Sequence, residues 1–158
     1  MKDEKEKASI GGLAKKLNVL LSTYQVAYNN IRSAHWMIKG ENFFELHKVF
    51  EAEYNDAALK VDEIAERILT LGEKPVQMLS EMLERSLVKD NNIAGDQEKC
   101  ISLLINDFKI LGEIEKDIVD MAQKVDDVVT ADLMTRYMGQ QQKKTWMLSQ
   151  FLNKKSSI

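Results

Sequence analysis

The chain has 158 residues, 44% hydrophobic and 30% charged, with seven Gly, one Pro and one Cys. It is too apolar for disorder, too poor in turn residues for a many-stranded β protein and long enough for a core without staples, so one all-α domain over 1–158 is expected, with short tails at 1–9 and 153–158. The net charge of -3 lacks the basic excess of a typical nucleic-acid binder, and Cys100, being alone, makes no intrachain disulfide or CxxC pair. No charge-free stretch reaches the roughly 18 residues of a membrane span, and the charged start Met1-Lys2-Asp3-Glu4-Lys5-Glu6-Lys7 leads into no apolar signal region. A cytoplasmic protein without a membrane partner is expected.

From Leu13 the apolar positions Leu13, Leu17, Leu20, Tyr24, Ala27 and Ile31, then His35, step by four and three, which is one face of a long helix. It stops near Lys39-Gly40, and Asn42 with Glu45 three residues on reads as an N-cap and capping box for the next helix, making a tight helical hairpin. The second helix carries Phe43, Leu46, Phe50, Tyr54, Ala57, Val61, Ile64, Ile68 and Leu71, and ends at Gly72 before Pro75. Residues 73 to 95 form a long connection with a short amphipathic piece at Met78, Leu79, Met82 and Leu83. Asp96 caps a third long helix with Ile101, Leu104, Phe108, Leu111, Ile114, Ile118, Met121 and Val125 inward. After Asp126-Asp127 a fourth carries Leu133, Tyr137, Gln141, Trp146, Leu148 and Phe151. The pattern predicts a four-helix bundle of two hairpins, with a crossover that spans one helix length between helices two and three.

The only histidines, His35 and His47, lie symmetrically about residue 41 in the first turn, so an antiparallel hairpin brings both imidazoles to one end of the bundle. Helix two also has a second stripe, His47, Glu51, Asn55, Ala58, Asp62, Glu66 and Leu69, on which Asp62 and Glu66 stand one turn apart. Oxygen together with imidazole ligands suits iron or zinc better than calcium. Alternatively the acidic pair is a solvated face and His35 a satisfied core residue. His47 and Asp62 are 15 residues apart, about 22 Å along the axis, and cannot share an ion within one chain. If all four bind together, the histidines of one subunit meet the carboxylates of another across a two-fold interface. No Glu-x-x-His occurs, because position 32 is Arg and position 44 is Phe, so the usual di-iron site inside a bundle is not expected.

The segments Ala34-His35-Trp36 to Gly40, Asn42-Phe43-Phe44-Glu45-Leu46-His47 and Asp62-Glu63-Ile64-Ala65-Glu66-Arg67, with intervals of 12, 15 and 4 between His35, His47, Asp62 and Glu66, resemble the signature of the Dps family, the ferritin-like mini-ferritins. Val129-Thr130-Ala131-Asp132-Leu133 and Trp146-Met147-Leu148 are similar to the family's last helix. The resemblance implies a ferritin-like bundle assembled as a homo-dodecamer, with ferroxidase sites at two-fold interfaces. There His35 and His47 of one subunit and Asp62 and Glu66 of its neighbour bind two ferrous ions, hydrogen peroxide oxidises them, and ferric mineral collects in the cavity. Zinc is a competitor for the same ligands. Trp36 is a candidate electron relay or a hydrophobic anchor, and Glu51 a candidate for mineral nucleation. Asp127 and Asp132 are candidates for an acidic pore that admits iron, with an N-cap as the other role of Asp127. DNA binding does not carry over automatically and is left open by the sequence. Lys2, Lys5 and Lys7 are interleaved with acids, leaving Lys154-Lys155 as the one small basic cluster of the tails. A nucleoid-binding structural protein with an incidental metal site and a helical partner-binding module are the alternative readings.

Overall fold

The computed structural model describes residues 9–156, which form five helices and no strand: α1 (Ile10–Met37), α2 (Phe43–Thr70), α3 (Leu79–Arg85), α4 (Gln97–Lys124) and α5 (Val128–Ser156). Both lysine-bearing tails lie outside the residues whose side chains are described. Ser9 starts α1 one turn ahead of its apolar stripe by accepting the Gly12 N–H at 3.0 Å, and Asp96 starts α4 by accepting that of Lys99 at 2.9 Å. The capping box expected at Asn42 and Glu45 does not form. Asn42 stands at the start of α2 without a side-chain cap bond, and its side chain is instead turned to Gln97, donating from Nδ2 to Gln97 Oε1 at 3.1 Å.

Cross-chain contacts fix the directions. Lys16 meets Asp117 while Lys39 and Gly95 meet at the other end, so α1 and α4 run antiparallel. Arg67 meets Asp127 while Lys144 meets Glu53, so α2 and α5 do too. With α1–α2 and α4–α5 as hairpins, α2 and α4 are parallel, and the chain between them must travel the length of the bundle. That crossover carries α3 and is laced to one side of α1. Asn18 donates to the Lys74 carbonyl and accepts the Val76 N–H, Thr23 Oγ1 accepts the Leu87 N–H, and Asn30 donates to the Lys89 carbonyl and accepts the Asn91 N–H. An extended segment lacks the internal bonds of a helix, and these side chains supply its partners. At its end Lys39 N–H donates to the Gly95 carbonyl, and Gln97 Nε2 to that of Lys39, so the crossover terminates against the α1–α2 turn.

The stripes meet in one core, with Leu13, Leu17 and Leu20, Phe50, Ile64 and Ile68, Ile101 and Leu104, and Met134 and Tyr137 all shut off from solvent. Trp146, expected inward, is 61% exposed. The buried stripe of α5 runs Tyr137, Gln141, Leu148, with half-buried Lys144 between, and that phase turns Trp146 outward. The core is also more charged than the stripes suggest. Lys60, 3% exposed, pairs with Asp56 at 2.6 Å, and Lys144 bridges Glu53 at 2.8 Å and Asp56 at 3.0 Å. Burial alone would raise the Asp56 carboxyl, but the bonds from both lysines hold it below its usual value.

Two carboxyls on α4 have no such cation partner at hydrogen-bonding distance. Asp107 is pushed up to about 7 by burial, and so is Glu115, against the opposing hydrogen bonds from Tyr24 and Gln141 and the charge of Lys60. Asp107 Oδ2 and Glu115 Oε2 have no hydrogen-bond partner among the described residues. In the folded state each holds a proton that the unfolded chain, with an ordinary carboxyl pKa near ~4, has released. Stability therefore falls as pH rises from about 4 to about 7 and levels off above. Asp107→Asn removes the charge and should stabilise the protein at pH 8, by an amount on the order of 3 kcal/mol, and less at pH 5. Thermal unfolding of both proteins at the two pH values checks this.

Candidate metal centre

His35 ends the apolar stripe of α1 and His47 lies in the second turn of α2, and the hairpin stacks their rings with centroids 3.7 Å apart and planes 20° off parallel. Each Nδ1 lies against the other residue's backbone carbonyl, His35 Nδ1 at 2.7 Å from the His47 oxygen and His47 Nδ1 at 2.9 Å from the His35 oxygen. A carbonyl oxygen only accepts, so both Nδ1 atoms carry hydrogen and donate it. In the neutral rings each Nε2 then keeps its lone pair, the arrangement by which a backbone carbonyl orients a metal-binding imidazole. Phe43 stacks on His47 at 4.9 Å, and Tyr54 packs edge-on against His35 at 5.2 Å, which holds the pair from both sides. His35 is buried and His47 half-buried.

Asp62 and Glu66 stand on the outward face of α2, both exposed and both without a hydrogen bond or ion pair to another described residue. Their neighbours are occupied. Glu63 accepts from the Tyr137 hydroxyl and from Arg136, and Arg67 binds Asp127 and Thr130. The same face exposes Leu59 to 67% and Leu69 to 57%, a mixed apolar and acidic strip that no other described residue covers. His47 and Asp62 lie far apart on α2, 15 residues or about 22 Å at the helical rise, and His35 of α1 stays with His47 at the hairpin end. Among the described residues no three His, Cys, Asp or Glu side chains come together.

Trp36 is 62% exposed and carries the Arg32 guanidinium over its ring at 4.7 Å; it makes no ring contact with either histidine among the described residues. Glu51 is exposed one turn along the stripe from His47. Asp127 is the buried N-cap of α5, with Oδ1 accepting from Thr130 N–H at 3.0 Å and from Arg67 at 2.7 Å, while Oδ2 accepts from the Thr130 hydroxyl. Burial alone would raise its carboxyl, but the Thr130 bonds and the Arg67 guanidinium hold it below the usual range. Asp132, one turn on, is exposed. The ring of Tyr54 against His35 was not singled out from the sequence, where its place on the apolar stripe reads as core.

Residues 14–158 match the family described as the ferritin-like domain. An uncharacterised protein of Haemophilus influenzae is 42% identical over 142 residues, which is 90% of this chain and 89% of that one. The DNA protection during starvation protein of Porphyromonas gingivalis is 37% identical over 145 residues, 92% of this chain and 91% of that one. The crystal structure of a Dps protein from Vibrio cholerae O1, described as a member of a broad superfamily of ferritin-like diiron-carboxylate proteins, has a TM-score of 0.89 at 40% identity and covers 92% of each chain.

Proposed function

The chain belongs to the ferritin-like family and, within it, to the Dps proteins, and from that premise we propose that it is an iron-oxidising, iron-storing mini-ferritin working as a homo-dodecamer in the cytoplasm. The observation that carries this reading is the division of one donor set between two places in the α1–α2 hairpin: two oriented imidazoles, His35 of α1 and His47 of α2, at its turn, and two carboxylates of α2, without partners among the described residues, on a strip about 22 Å away. A two-fold axis across that strip brings His35 and His47 of one subunit to Asp62 and Glu66 of the next, and does so twice.

Ferrous iron is the substrate. Imidazole nitrogen and carboxylate oxygen suit it, and the carboxylates favour the ferric product by charge. Two ferrous ions held together give one electron each, so hydrogen peroxide, the preferred oxidant, is reduced to water without releasing hydroxyl radical. Zinc suits the same donors and has no redox chemistry, so it blocks turnover. Glu51, near the histidines on the stripe, is placed to start mineral growth. Of the two acids proposed for iron admission, Asp127 has both oxygens engaged by Thr130 and Arg67, which leaves Asp132 to attract the cation.

The test joins mass by size exclusion with anaerobic ferrous titration, then peroxide and the absorbance of ferric product. The expected result is a dodecamer-sized particle that oxidises about two irons per site, the number of ions such a four-ligand site bridges, with zinc added beforehand suppressing the product. A small oligomer that forms no ferric product above a protein-free control would overturn the reading.

A further inference from the structure

The four tyrosines form two edge-to-face pairs with different surroundings. Tyr24 and Tyr137, 6.0 Å apart, donate to the carboxyls of buried Glu115 and half-buried Glu63, and Lys60 lies near both rings. Tyr28 and Tyr54, also 6.0 Å apart, are joined to the histidine pair through the contact of Tyr54 with His35. The Tyr54 hydroxyl makes no hydrogen bond to another described residue, and that of Tyr28 accepts from Arg32 Nη1 at 3.2 Å. A continuous path of ring contacts thus runs from His47 and His35 to Tyr54 and on to Tyr28.

We propose that Tyr54 is the electron donor that completes peroxide reduction when a site holds a single ferrous ion, and that Tyr28 is the next carrier. This rests on the ferroxidase reading above. A lone ferrous ion gives peroxide one electron where two are needed to leave only water. Tyr54 supplies the second electron together with its phenolic proton, and one further proton comes from solvent. The O–O bond of peroxide and the O–H bond of Tyr54 break, two waters form, and a ferric ion and a neutral tyrosyl radical remain. The radical then passes to Tyr28, whose electron and a proton restore the Tyr54 phenol.

Trp36, next to His35 in sequence, is the obvious competitor, and the geometry disfavours it. Its ring is turned to solvent and, among the described residues, touches neither histidine, whereas Tyr54 packs on His35. The Arg32 guanidinium stands over both Trp36 and Tyr28, so contact with the histidines is what separates the two routes. The other tyrosine pair has no ring contact with the histidines among the described residues.

The experiment is freeze-quench electron paramagnetic resonance of the assembled protein loaded with one ferrous ion per site and mixed with hydrogen peroxide, with a spin trap for hydroxyl radical run in parallel. The expected wild-type signal is a protein radical that narrows when the tyrosines are ring-deuterated. Tyr54→Phe, which keeps the ring against His35, should lose it and release several-fold more trapped hydroxyl radical, whereas Trp36→Phe should retain it. Persistence of the signal in Tyr54→Phe, its loss in Trp36→Phe, or a wild-type signal indifferent to deuterated tyrosine would overturn the proposal, as would ferric product without any protein radical. Absence of ferric product in the wild type would instead remove the ferroxidase reading itself.

Discussion

Particles assembled from equal amounts of His47→Ala and Asp62→Asn subunits should recover about a quarter of wild-type iron oxidation, although each variant alone has almost none. Random pairing makes about half of the two-fold interfaces mixed, and a mixed interface has one site with both defects and one with neither. Each single variant spoils every site: His47→Ala removes an oriented imidazole, and Asp62→Asn replaces a carboxylate by a neutral amide with weaker attraction for a cation. Neither change touches the core, since His47 is half-buried at the end of the hairpin and Asp62 is exposed, so assembly should persist. Ferric product after peroxide, measured on co-assembled and on separately assembled mixtures, is the comparison. Recovery in the first alone establishes sites shared between subunits. No recovery in either means that the histidines and carboxylates do not act on the same ions across an interface.

Gly95→Ala should lower the unfolding temperature by about 10 °C, corresponding to a loss on the order of 3 kcal/mol. Gly95 has φ +84°, and a β-carbon there would lie 2.1 Å from the Met37 carbonyl oxygen, which belongs to helix backbone and has no easy way to retreat. Gly72→Ala is the control. At φ +79° it carries the same conformational cost, about 1 kcal/mol, but its β-carbon meets nothing within 4 Å. The difference between the two, from thermal scans at equal protein concentration, isolates the close approach of the crossover to the end of α1. An equal loss in both would mean that the approach contributes nothing. Because Met37 lies two residues after His35, the Gly95 variant is also expected to disturb the histidine pair.

The long helices were legible because three-and-four spacing survives over each of them, and their ends because Gly40, Gly72 and Asp96 are chemically suited to stop or start a helix. The meeting of His35 and His47 was legible for a simpler reason, their symmetry about the turn. What the pattern missed depends on partners far away in sequence. Asn42 turns its side chain to Gln97, to which its Nδ2 donates, instead of capping α2, and Arg67 occupies the Asp127 carboxylate. The buried charges were in part readable: Lys60 and Glu115 fall within the apolar stripes, and a charge in such a place calls for a polar partner, on its own helix or on another. Which partner answers, Asp56 in one case and Tyr24 with Gln141 in the other, is decided by packing that periodicity does not encode. For the proposed metal centre, the sequence carries the candidate donors and their separation, while whatever covers the α2 strip lies outside the single subunit.

The reciprocal histidine bonds fix half of the centre within each folded subunit, before any neighbour arrives. On the shared-site reading, a newly made subunit is then chemically idle. Its imidazoles lack the carboxylates that would retain iron, and its carboxylates lack the imidazoles that would pair two ions for joint oxidation. Free ferrous iron and peroxide near such a subunit find only an incomplete site that does not retain iron, so the shell acts as its own interlock, and reactivity begins only when the container for the product exists.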